Sequence, residues 1–452
     1  MLGVTLSRWT MSYFAVALVA LLAGEVLMTA GYGFPSAPLR APETLVVVHI
    51  VAIGWLSLLL CGALFQFVPV LVARPLHSNS LPLPALAMFV TGLGALLAGF
   101  LQLAGTLDAA LPLPPIAALL LAGGFALALY DLGRTLWSAR PLPLPARFVA
   151  VALLFLGANV MLGTLFSFAL TTDLLSQPLF AVAGAALPLH VIAGLGGWLT
   201  LAAIGVSYRL LAMFMLAPEL DGARTRAVFW LGTAALALTV LGGVAALSLD
   251  TELAPALVGG GILGLVALVL YGTDIVHLYR ARKRRIIELN SQMAIFAFAA
   301  LAVTAALAVT LIVLGRLSEQ VGALVFLVAF GWLTGLGLAK LYKIVAFLTW
   351  LECYGPALGR AATPRVQDLV VETRARAWFL LYYLAVAAAT VALLATQALA
   401  FRLATGAMTL ATLAIAAELI RTRRLSDVAA KIRLPDGARR PHFFMSTAHP
   451  SR

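Results

Sequence analysis

Two histidines and one carboxylate stand where an apolar chain least tolerates them. His49 closes the stretch ETLVVVH, His190 closes GAALPLH, and Glu25 sits within LLAGEVLMTAG. Read as helices, these segments place both imidazoles four or five residues from the helix start, which at ~1.5 Å per residue is roughly 6–8 Å below the surface. Glu25 falls at about the depth of His49 on the preceding helix. An intramembrane carboxylate costs several kcal/mol unless it is paired or faces a polar cavity. It can orient an imidazole by accepting the second N–H, or it can carry protons. With Met28, the two imidazoles could hold one copper ion. The plain alternatives are a His bonded to a backbone carbonyl and a protonated Glu bonded locally.

The elements that carry these residues repeat. GWLSLLLCGALFQFVPV starts at Gly54, GWLTLAAIGVSYRLLAMF at Gly197 and GWLTGLGLAKLYKIVAF at Gly331, so Trp55, Trp198 and Trp332 head three copies spaced 143 and 134 residues apart. Phe65, Tyr208 and Tyr342 share one column, Gln66, Arg209 and Lys343 the next, and Val68, Leu211 and Val345 a third. Gly62, Gly205 and Ala339 are the small mid-segment column that lets membrane helices approach closely. His49 lies six residues before its Trp and His190 eight before its own, so the two are near-equivalents.

The medium follows from composition. The chain has 452 residues, 63% hydrophobic and 11% charged, whereas a soluble globule carries about a quarter charged residues. It is read as a polytopic membrane protein, since ~20 apolar residues cross the bilayer. Twelve segments qualify, near 11–31, 44–72, 84–106, 114–137, 147–171, 186–216, 226–248, 255–277, 290–314, 320–350, 376–397 and 399–420. Proline-rich joints such as SLPLP and RPLPLP close most gaps. Three copies on helices 2, 6 and 10 divide twelve helices into three four-helix arcs, a repeat that outranks local propensity. The expectation is one transmembrane domain over residues 1–424, with repeat units about 1–140, 141–285 and 286–424, and a cytoplasmic tail over 425–452.

Charge placement sets the topology. Arg74, Arg140 and Arg147, Arg224 and Arg226, the RARKRR run from Arg280 to Arg285, and Arg365, Arg374 and Arg376 follow even-numbered helices, whereas Asp108, Asp173, Asp250 and Glu252 follow odd-numbered ones. The positive-inside rule puts both termini in the cytoplasm. The net charge of +12 is thus a topology signal and an anionic-lipid contact, not a nucleic-acid surface. Richness in Ala, Leu and Arg suggests the inner membrane of a high-GC bacterium. Cys61 and Cys353 are too isolated for a disulfide framework or a Cys-based metal site.

Twelve helices with cytoplasmic termini, three arcs, and HIVAIGWLSLLLCGALFQFVPVLVARPL on helix 2 resemble subunit I of the haem-copper oxidase superfamily, including its divergent NnrS-type relatives. The resemblance covers nearly the whole chain in architecture and is specific in sequence on helix 2. It implies His49 as an axial ligand of a b-type haem, and Arg402 between helices 11 and 12, with Arg40 as a second candidate, as partners of haem propionates. His190 would supply a second imidazole, and bis-His ligation suits electron transfer because it leaves no open position. An oxidase needs six ligating histidines. This chain has six in all, His49, His77, His190, His277, His442 and His449, and helices 7 and 10 have none, so a binuclear centre and oxygen reduction are excluded by ligand count.

The remaining polar residues read as local structure. Arg209 and Lys343 are expected to snorkel to lipid phosphates, with an anionic ligand on the threefold axis as the alternative. Asp274 with His277 reads as a solvated helix end. Asp131 with Arg134 and Glu418 with Arg421 read as local pairs, and Asn159 as a packing hydrogen bond. The tail from Leu425 reads as a short amphipathic piece followed by disorder. Three function classes compete: a haem-binding, non-oxidase protein of electron transfer or nitric-oxide response, with a cytochrome or other redox protein as partner on the outer face; a transporter or metal-handling permease with Glu25 on its path; and a cofactor-free assembly or scaffold protein.

Overall fold

The computed structural model describes residues 8–108, 110–171 and 175–445. Asp173 and His449 lie outside the described residues. Among those described, the regular structure is helical, and twelve helices are long and apolar enough to cross a membrane. They are α1 (Thr10–Ala30), α2 (Pro42–Val72), α3 (Pro82–Leu103), α4 (Leu113–Ser138), α5 (Leu144–Ala169), α6 (Leu187–Met215), α7 (Ala223–Ser248), α8 (Ala254–Arg280), α9 (Leu289–Val313), α10 (Leu317–Ala357), α11 (Glu372–Leu394) and α12 (Ala398–Arg423). The chain is a multi-pass membrane protein. Proline stands in the first turn of α2, α3, α4, α5, α6 and α8, where its missing N–H would have no intrahelical partner anyway.

The chain packs as two compact units, residues 1–67 with 287–452, and residues 68–286. In the first, α1 lies along α12 and along the middle of α2, and α9 along α10. Gly62 of α2 makes this closeness possible, because a Cβ there would sit 2.5 Å from Cβ of Tyr13 on α1. In the second unit α3 pairs with α4, α7 with α8, and α5 with α6. Its counterpart of Gly62 is Gly205 on α6, where a Cβ would lie 2.4 Å from Cβ of Phe148 and 2.9 Å from the carbonyl oxygen of Pro145.

Several side chains expected to pair locally have tertiary partners instead. Asp274 is no solvated helix end: it is 1% exposed and accepts from Tyr208 at 2.9 Å, from Thr225 at 3.0 Å and from Arg224. Asp131 accepts the backbone N–H of Ser78 at 2.8 Å rather than meeting Arg134. Glu418 takes a two-pronged contact from Arg374, while Arg421 turns to Asp427 at 2.6 Å. Arg209 pairs with Glu219, and Lys343 with the buried Glu288 at 2.8 Å. For Asp274 and Glu418 the physical reason is burial. A carboxylate that loses water needs several well-placed donors, and an i,i+3 neighbour supplies one at best.

The tail also departs from expectation. Residues 425–445 are not disordered: Leu425 and Val428 are buried with Cys353, Tyr354 and Leu369. The Tyr354 hydroxyl donates to the carbonyl of Arg433 at 2.8 Å, and the N–H of Arg439 to that of Cys353 at 3.0 Å. Beneath them Arg423 pairs with Glu352 at 3.0 Å, both buried, and Arg423 also donates to the carbonyl of His442. A buried ion pair is tolerable when further hydrogen bonds satisfy it, and the tail backbone supplies them.

Two outcomes follow from this packing. Gly205→Ala should lower the melting temperature of the detergent-solubilised protein by an amount matching roughly 1–3 kcal/mol of overpacking. Gly157→Ala, where the added methyl meets open space, should not. Arg421 and Arg374 hold the Asp427 carboxyl below the usual carboxylate range. Its contribution to tail docking is therefore complete above the unfolded value of about 4 and is lost as pH falls through the lowered folded value. Protease cleavage of the tail, followed as pH is lowered, should rise in the wild type and change less in Asp427→Asn, whose cleavage is already higher at neutral pH.

Candidate functional site

Each of the three repeat helices changes its winding at the same place. Ile50–Ser57 of α2, Ile192–Thr200 of α6 and Leu327–Thr334 of α10 are π-helical, and each ends two residues after its Trp. π-helix is a rare conformation that concentrates at functional sites. Trp55, Trp198 and Trp332 are all buried. The wider turn recruits hydroxyls: Ser57 donates to the carbonyl of Ala52 at 2.8 Å and Thr334 to that of Ala329 at 2.7 Å, each five residues back. Thr200 holds the same column in the second copy. The Tyr382 hydroxyl on α11 donates to the carbonyl of Phe330 at 2.9 Å, and the Trp55 indole N–H reaches the Thr334 hydroxyl at 2.8 Å. The signal for this column was present as GWLS, GWLT and GWLT, one hydroxyl two positions after every Trp.

His49 is the residue immediately before the first π segment, and its Nδ1 lies 2.8 Å from the carbonyl of Leu45. His190 lies two residues before the second, with Nδ1 3.1 Å from the carbonyl of Asn159 on α5. A neutral imidazole bonded to a carbonyl through Nδ1 carries its proton there, so the lone pair is on Nε2. That is the ligating tautomer, and the two members of the repeat share it. The third copy has Phe326 in the place of His49, immediately before its π segment.

The two histidines belong to different units and each has its own surroundings. His190 packs against α5: the Phe166 ring meets it edge-on at 5.4 Å, and a Cβ on Gly163 would approach its Cε1 to 3.2 Å. Beside it the Asn159 side-chain oxygen is buried with no hydrogen-bond partner among the described residues. His49 stands where α2 crosses α1. A Cβ on Gly24 would come within 2.8 Å of Val51.

Glu25 does not meet the imidazole through a hydrogen bond that the geometry displays; its Oε1 accepts from Thr412 on α12 at 2.9 Å. The carboxyl is fully buried and its Oε2 has no hydrogen-bond partner among the described residues. One turn away, Thr29 of α1 lies 3.4 Å from the Thr405 hydroxyl and 3.3 Å from that of Thr409. Thr405, Thr409 and Thr412 recur at i, i+4 and i+7, one face of α12. Arg402 stands at the head of this seam, exposed, its Nε donating to the carbonyl of Thr29 at 3.1 Å. That bond uses Nε alone, so the Nη groups keep their donors for a carboxylate. Arg40 is exposed as well. Met28 is buried on α1.

No family model and no curated protein matches the chain. The site is therefore read from its own chemistry. Thr334→Val, which keeps the shape and removes the acceptor, should leave the Trp55 N–H orphaned in the interior at a cost of ~1–3 kcal/mol. Thr334→Ser should restore most of it, and thermal melting of both variants checks the pair.

Proposed function

We propose that the protein is a haem-binding membrane protein, a non-oxidase relative of haem-copper oxidase subunit I built of three four-helix arcs, serving electron transfer or a nitric-oxide-linked response. The observation that carries this reading is the shared placement of His49 and His190, each with Nδ1 against a backbone carbonyl at the entrance to an equivalent π segment. Such anchoring is what ligating histidines use to fix ring orientation and raise basicity. Nε2 of His49 and Nε2 of His190 are the atoms that would hold a haem iron. Arg402 would take a propionate through its Nη groups, and Arg40 is a second cation for the same task.

Haem supplies one-electron chemistry when bound; the rest falls to the chain. The carbonyls of Leu45 and Asn159 hold the imidazoles in the ligating tautomer. Placement in a bacterial inner membrane, with both termini cytoplasmic and a redox protein as partner on the opposite face, follows from the basic loops and belongs to the same proposal.

The test is the optical spectrum of the purified protein, oxidised and dithionite-reduced, beside His49→Ala and His190→Ala. A Soret and reduced alpha band lost in both variants is the expected result. Loss in one variant alone would assign the haem to that histidine. A colourless wild-type protein with no haem on analysis would overturn the reading and leave transport or scaffolding.

A further inference from the structure

The seam between α1 and α12 is built from polar groups that packing alone does not call for. Four threonines and one glutamate line it: Thr405 and Thr412 are fully buried, Thr409 is nearly so, and Glu25 is buried completely. Burying a carboxyl without satisfying both oxygens costs several kcal/mol in hydrocarbon, and Oε2 of Glu25 is left in that condition. Apolar residues at these places would close the seam at lower cost. The hydroxyls also stand in order. From Arg402 at the surface, Thr405 donates to the Arg402 carbonyl at 3.0 Å, Thr29 lies within 3.4 Å of both Thr405 and Thr409, and Thr29 also reaches the Glu25 carbonyl at 2.9 Å. The last pair, Thr412 with Glu25 at 2.9 Å, is one helical turn deeper, ~5.4 Å, a step for which the relay requires one water.

From these placements we infer that Glu25 is a proton-binding site in exchange with the aqueous phase at the Arg402 end, through the hydroxyls of Thr405, Thr29, Thr409 and Thr412. A hydroxyl is both donor and acceptor. Each can take a proton on its oxygen and pass its own hydrogen onward, then turn back. The balance is one proton from water at the surface and one carboxylate converted to a carboxylic acid, with every hydroxyl returned to its starting composition. The reverse sequence releases the proton. The other elements around Glu25 define its setting: α2 presents Ile50 and Val51 beside Gly24, and α12 presents Thr412.

Infrared spectroscopy of the purified protein on transfer from H2O to D2O tests this directly. The expected result is a carboxylic-acid C=O band that is absent in Glu25→Gln and shifts promptly in D2O. Thr405→Val and Thr409→Val, which keep the side-chain shape, should slow that shift by about tenfold or more, an added barrier of ~1.4 kcal/mol, and Thr409→Ser should recover it. A merely structural role would leave the exchange rate of this one band unchanged. Absence at every pH of a band that depends on Glu25, or equal exchange rates in the wild type and both valine variants, would overturn the inference. The band reads the carboxyl whether or not the preparation is coloured, so this result and the haem result fail separately.

Discussion

In hydrocarbon no water is present to receive a stray N–H or carbonyl, so every backbone group must find its partner within the protein. The three π segments test that constraint, because a wider turn displaces carbonyls from the ordinary helical ladder. Ser57 and Thr334 answer it by donating five residues back, and Tyr382 by donating across from α11 to Phe330. Trp55 then completes the set by using the Thr334 hydroxyl as its own acceptor. The aromatic, the hydroxyl and the altered winding are one device, and two of its three copies have a histidine at the entrance.

The same constraint explains the glycines and the ion pairs. Close approach of helices is what membrane packing offers in place of a hydrophobic drive between helices, and Gly62 and Gly205 supply it against Tyr13 and Phe148. Charges are driven to the helix ends, and two of those that remain buried collect partners from other elements. Asp274 draws on α6 and α7, and Arg423 draws on α10 and on the tail backbone. The tail is held because it completes a buried ion pair; hydrophobicity adds Leu425 and Val428 to the bargain.

The sites differ in what surrounds the reactive atoms. His49 and His190 have the same tautomer but unlike neighbours, a backbone carbonyl of its own helix for one and of a neighbouring helix for the other. Their unequal distances from the tryptophans, six residues and eight, correspond to different distances from the start of the π winding. Glu25 is a separate matter. Its partner is a threonine on α12, and the hydroxyl seam leads from it toward Arg402.

Much of this was legible in the residues alone. Twelve apolar runs, the proline joints and the repeated GWL(S/T) segments depend on composition and spacing, which act locally, and they determined the spans, the rarity of Glu25 and the pairing of His49 with His190 as equivalents. The hydroxyl after each Trp could also have been read there. Spacing could not choose partners. Asp274, Glu418 and Lys343 have charged or polar neighbours along the helix, yet each finds its partners elsewhere in the chain, because desolvation makes a single local contact insufficient and only the packed helices bring enough donors together. For the same reason the tail's docking, the π winding and the α1–α12 seam were decided by the tertiary structure: each depends on which carbonyls and carboxylates end up without water, and burial of that kind exists only once the helices have met.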